Sequence, residues 1–182
     1  MYHIKNDKRA QASSELICAG LLACMKEKPF ARITITDVQH ASTVSRSTFY
    51  RNFDCLEDVL ALLCDRGFQA VFTEYNALPP AQRGNLPKAV FHYWFHNSAV
   101  LEALVQIHRT DILFDSLRRS SGLIEALQPL ADDPARFDYF VAIITSAMIG
   151  VLTVWVEHGK TETEDQMVQK LTSAFIEMAI LE

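Results

Sequence analysis

Glycine and proline are scarce: six of each in 182 residues, with five of the six prolines between residues 79 and 134. Long stretches without either exclude a turn-rich β architecture and favour helices. Paired cysteines are missing as well. Cys18, Cys24, Cys55 and Cys64 form no Cys-x-x-Cys motif, so neither a zinc ribbon nor a disulfide framework is encoded. The start, Met1–Arg9, is polar and charged rather than a cleavable signal, and the thiols read as reduced side chains of a cytoplasmic protein. Catalytic signatures are also lacking. There is no Gly-x-Ser-x-Gly, no glycine-rich phosphate loop and no carboxylate pair with a cleft, so neither an enzyme nor a cofactor is expected.

What is present is the composition of a soluble globular chain, about half apolar and a fifth charged. Its net charge of −5 is unevenly spread. Residues 1–53 hold eight basic and four acidic side chains, net +4, whereas residues 54–182 are net −9. No acid occurs from residue 38 to 53. A basic head on an acidic body suits a polyanion partner for the head.

Helical spacing organises the chain. Ile17, Leu21 and Cys24 recur on one face of a first helix, with Leu16 and Met25 widening the stripe, and Lys26–Pro29 ends it. Thr34 with Asp37 is a capping-box start for a short helix whose Ile35, Val38 and Ala41 face inward. Residues 42–44 make a turn, and Ser45 is a good N-cap for a further short helix. A long helix over 54–77 follows, capped by Asp54 and Glu57. The loop 77–87 is the clearest boundary, with helices at about 88–107, 110–127, 134–158 and 163–181 and "QPLADDP" as a second connector. The expected fold is all-α. It has a three-helix helix-turn-helix head over 1–53 and a helical regulatory and dimerisation domain over 78–182, joined by the long helix.

In projection, Phe49 and Phe53 anchor the third helix with help from Val44. Ser47, Thr48, Tyr50 and Arg51 take the outer face, and Arg46 sits at its N-terminal edge. Arginine can donate two hydrogen bonds to a guanine edge, short hydroxyls let the helix approach a groove, and Tyr and Arg reach phosphates. Helix starts at Thr34 and Ser45 add amide donors for phosphate oxygens.

The stretch "ITITDVQHASTVSRSTFYRNFDCLEDVL" (33–60) resembles the DNA-binding signature of the TetR family of bacterial transcriptional regulators. The shared features are Ile-Thr-x-x-Asp-Val, Val-Ser-Arg-Ser-Thr-Phe-Tyr, the closing Phe53 and the Glu-x-x-Leu after it. The resemblance implies a homodimer, probing adjacent major grooves of a palindromic operator as a repressor, with release by a small-molecule effector. It places Thr34 and Tyr50 on phosphates and Arg46, Ser47 and Thr48 on bases and backbone. Two positions depart from the family pattern: Thr43 stands where the turn often has Gly, and Leu56 where the fourth helix often has a phosphate-binding Lys.

Residues 139–156 carry no charge. That length could cross a bilayer, but Thr145, Ser146, Gly150 and Thr153 interrupt the run and no Lys/Arg cluster orients it. A helix buried by its own domain and by a second subunit fits better. The expected interface comprises Ser146, Gly150 and Val154 with Leu171, Phe175 and Met178 of the last helix, and no membrane partner. In "FHYWFHN" (91–97), Phe91, Trp94 and Phe95 are candidate lining for an apolar or aromatic effector. His92 and His96, four apart, offer the rival reading of a metal-binding protein or enzyme, but no third ligand is visible in the sequence, and no metal is expected.

Overall fold

In the computed structural model, which describes residues 2–127 and 134–180, Asp7 starts the first helix, α1 (Lys8–Glu27), by accepting from the amides of Arg9 and Ala10 at 3.0 and 2.8 Å. Ile17 and Leu21 are fully buried, but Leu16 is half exposed, so the apolar stripe is narrower than its spacing suggests. The Lys28 amide closes the helix on the Cys24 carbonyl, and Pro29 turns the chain away.

Helices α2 (Ile35–Ser42) and α3 (Arg46–Asn52) pack against α1 and each other. Ser42, not Ala41, faces the interior, because α2 approaches α1 at Gly20, where an added Cβ would come within 2.8 Å of the Ser42 Cβ. The small pair Gly20 and Ser42 therefore sets the distance between the two helices. Phe53 lies just beyond α3 in extended conformation, yet it is fully buried beside Phe49, with ring centroids 5.8 Å apart.

The long helix α4 is Leu56–Ala77. At its start the Asp54 amide donates to the Asp58 carboxylate at 2.9 Å. The chain forms two compact units, Met1–Cys64 and Asp65–Glu182, and the division falls inside α4 rather than in the loop that follows it.

The second unit comprises the rest of α4 with α5 (Leu86–His96), α6 (Ser98–Gln106), α7 (Thr110–Arg119), α8 (Ser121–Leu127), α9 (Pro134–Glu157) and α10 (Glu164–Ile180). Two segments that read as single helices are each broken. Asn97 leaves helical geometry (φ −121°, ψ 37°) while its side-chain amide donates to the Tyr93 carbonyl at 2.9 Å. Ser120 is extended, and the helix restarts with Gly122 pressed so closely on Phe72 that an added Cβ would collide with the Phe72 Cβ. Asn76 fixes the approach by donating to the Gly122 carbonyl at 3.0 Å. The "QPLADDP" connector lies outside the described residues except for Pro134. No strand occurs among the described residues, and the fold is all-α.

Helix α9 packs on α6, α7 and α10, burying Met148, Leu152 and Trp155. By length and composition it could span a membrane, but its exposed residues Ile143, Ser146, Gly150 and Val154 line a groove beside α10. Gly159 (φ 77°) follows the helix in the left-handed region, as its C-cap role requires, and Lys160 continues there (φ 61°).

Candidate nucleic-acid interface

Thr34 caps α2 through a complete capping box: its hydroxyl accepts from the Asp37 amide at 3.2 Å while Asp37 accepts from the Thr34 amide and hydroxyl, both at 2.7 Å. Lys28 pairs with the same carboxylate at 2.7 Å. That ammonium and the two Thr34 donors hold the Asp37 carboxyl far below the ordinary carboxylate range.

The turn between α2 and α3 passes through Thr43 in left-handed geometry, φ 56° and ψ 19°. Ser45 then caps α3, accepting from the Thr48 amide at 3.3 Å, and its hydroxyl lies 3.1 Å from that of Ser47 and 2.9 Å from that of Thr48. Three hydroxyls therefore stand together at the start of the helix. The Arg46 guanidinium lies over the Tyr50 ring, 5.5 Å from its centroid, and one of its nitrogens is 3.5 Å from the Tyr50 hydroxyl. Arg51 reaches back to Thr48 at 3.4 Å. Beneath this face, Phe49 is fully buried, and Asn52, also buried, donates to the Thr48 carbonyl at 2.8 Å. The division between anchor and outer face therefore holds, with Asn52 as an unforeseen member of the anchor.

The start of the chain adds to this surface. The His3 amide donates to the Asn52 carbonyl at 3.0 Å, which lays the segment before α1 along the end of α3. Lys5, Lys8 and Arg9 thereby border a cleft of about 480 Å³ with Thr48 and Arg51. The sequence shows those cations in the head's charge but does not join them to α3; the packing of α1 on α3 and the His3–Asn52 backbone contact bring them there. Leu56 is buried and anchors the start of α4 in the core.

In the second unit, Ser146, Gly150, Val154, Leu171, Phe175 and Met178 all line one apolar groove of about 700 Å³ between α9 and α10. Leu171 forms its floor, while Val154, Phe175 and Met178 stand exposed. The aromatic cluster behaves differently. Phe91 and Trp94 are core side chains, Trp94 packing edge-on against Phe68 at 5.3 Å, and Phe95 stacks on Trp155 at 5.4 Å. A cavity of about 420 Å³ opens elsewhere, lined by Asp65, Gln69, Asn76, Ser116, Arg119 and Glu125 among others. It is polar rather than aromatic, and the buried Asn76 Oδ1 has no hydrogen-bond partner. His92 and His96 do share a face, and Glu164 from the first turn of α10 meets them, a third ligand-type side chain 72 residues from His92.

Residues 88–177 match a TetR-type family described as the transcriptional regulator C-terminal region. Similarity of fold covers nearly the whole chain. The crystal structure of Lin0861 from Listeria innocua superposes with a TM-score of 0.74 at 18% identity, covering 97% of this chain and 96% of that one. A TetR transcriptional regulator from Streptococcus agalactiae gives 0.61 at 18% identity, with coverage of 92% and 96%. No curated protein matches the sequence significantly.

Proposed function

We propose that this chain, which belongs to the TetR family of transcriptional regulators, represses transcription by binding a palindromic operator as a homodimer. The observation that carries the reading is α3. Arg46, Ser47, Thr48, Tyr50 and Arg51 form an outer face held by Phe49, Asn52 and Phe53, with Lys5, Lys8 and Arg9 along its flank. In a major groove, Arg46 would leave the Tyr50 ring for a guanine edge, and Ser47 and Thr48 would sit close to base edges. Tyr50, Arg51, Thr34 and the flanking cations would hold phosphates and fix the register.

The second copy would close the groove between α9 and α10, and Gly150, with no atom within 4 Å of a Cβ built on it, leaves space for a partner helix. Release would follow when an effector favours a dimer state unsuited to the operator. The polar cavity at Asp65, Asn76 and Arg119 suits a small molecule with both charged and hydrogen-bonding groups, including a donor for Asn76 Oδ1.

Selection of bound duplexes from a random library tests the reading. The expected product is an inverted repeat with half-sites about one helical turn apart, or a multiple of it. Recovery of single-stranded or unrelated sequences with no common half-site would overturn it.

A further inference from the structure

The seam between α5 and α10 is polar where the rest of the second unit is apolar. Lys88, His92 and His96 follow one another at four-residue spacing along α5, and Glu164 and Asp165 meet them from the first turn of α10. Lys88 is taken up by Asp165 at 2.5 Å, so its charge is compensated within the seam. The remaining three side chains converge: one ligand atom from each of His92, His96 and Glu164 lies within 4.8 Å of the other two.

We propose that His92, His96 and Glu164 bind a divalent transition metal of the zinc, cobalt or nickel class. Two imidazoles and a carboxylate select such ions over calcium or magnesium, which prefer oxygen ligands throughout. The spacing is close to what coordination needs. His92 Nδ1 stands 3.0 and 3.1 Å from the two Glu164 oxygens, near the ~3.3 Å that separates two ligands each about 2.0–2.1 Å from a tetrahedral metal. The metal would replace the hydrogen shared between them. His96 Nδ1 lies 2.9 Å from the His92 carbonyl and 3.9 Å from a Glu164 oxygen. A carbonyl only accepts, so Nδ1 carries the hydrogen and Nε2 keeps its lone pair, the arrangement usual for a metal-bound imidazole. The two rings lie side by side with centroids 4.6 Å apart. Both histidines are more than half exposed, which lets them close on an ion and leaves its remaining positions to water.

Such an ion would clamp α5 to the first turn of the helix that carries Leu171, Phe175 and Met178. It would thus act on an element of the apolar groove, although the site itself rests on three side chains and not on the DNA-binding reading.

Tag-free protein freed of metal with a chelator tests this directly. Calorimetric titration with Zn²⁺ should show one ion per chain, and Co²⁺ should develop the visible bands of a low-symmetry site. His92→Ala, His96→Ala and Glu164→Gln should each weaken binding at least about tenfold, whereas His158→Ala should leave it unchanged. In the unaltered protein, Zn²⁺ should protect His92 and His96 from diethylpyrocarbonate, a readout independent of how the variants fold. Absence of Zn²⁺ binding, affinity unchanged in the three variants, or labelling of both histidines unaffected by Zn²⁺ would each overturn the proposal. None of these measurements involves DNA, so their failure leaves the operator reading untouched.

Discussion

Thr43 holds a backbone conformation that its side chain opposes. A β-branched residue at φ 56° costs on the order of 1–2 kcal/mol, and glycine would relieve it at some cost in unfolded-state entropy. Thr43→Gly should raise head stability by about 0.5–1 kcal/mol, read from thermal or denaturant midpoints, and a fall would show that the Thr43 side chain makes a compensating contact. Three positions later, Arg46 rests on Tyr50, and in the proposed complex that contact would couple base reading to phosphate binding. Tyr50→Ala should reduce affinity for all duplexes about tenfold, as loss of a hydrogen bond to phosphate does. Arg46→Ala should instead relax preference at one base pair, costing about 1–3 kcal/mol there. Competition binding with a selected operator and single-substitution duplexes separates the two outcomes. Tyr50→Phe, which keeps the ring under the guanidinium, should preserve the preference while losing affinity.

At the scale of elements, α2 depends on charge at its first turn. Asp37 is held deprotonated by Lys28 and Thr34, so its folded-state pKa lies below the unfolded value near 4. The stabilisation is therefore complete above about pH 4 and fades as the pH falls further. Asp37→Asn should lower head stability at pH 7 and flatten its loss below pH 4, measured by circular dichroism across a pH series. This capping box was legible in the sequence, as were the Ser45 cap, the Phe49/Phe53 anchor and the stripe now lining the α9/α10 groove, because each depends on spacing within one element. What escaped depends on packing between elements. Asn97 and Ser120 break helices that look continuous in periodicity, the second because Gly122 must lie against Phe72. Ala41 gave way to Ser42 because α1 comes closest at Gly20. The cavity formed among polar side chains of separate helices, and Phe91 and Trp94 went into the core. Glu164 could not be assigned to His92 and His96 from a distance of 72 residues in sequence.

For the molecule as a whole, the groove lined by six residues of α9 and α10 is the surface that the proposed second copy would cover. Phe175→Asp should shift sedimentation from dimer to monomer and abolish tight binding to a two-half-site operator, while leaving helical content near that of the unaltered chain. A variant that stayed dimeric would move the interface elsewhere. The proposed phosphate contacts of the head add a solution property: salt should weaken operator binding steeply, the slope of log affinity against log salt steepening by about 0.9 for each phosphate engaged, whereas association through the apolar groove should hardly change. Trp155 gives this surface its own optical signal. Its indole nitrogen donates to the Glu162 carbonyl at 3.1 Å, its ring lines the groove, and it stacks on Phe95, itself in ring contact with His96. Of the two tryptophans in the chain, Trp94 is sealed in the core and supplies a constant background. Intrinsic fluorescence should therefore report dissociation of the proposed dimer through Trp155 without any label, and a paramagnetic ion such as Ni²⁺ near His96 should quench the same emission.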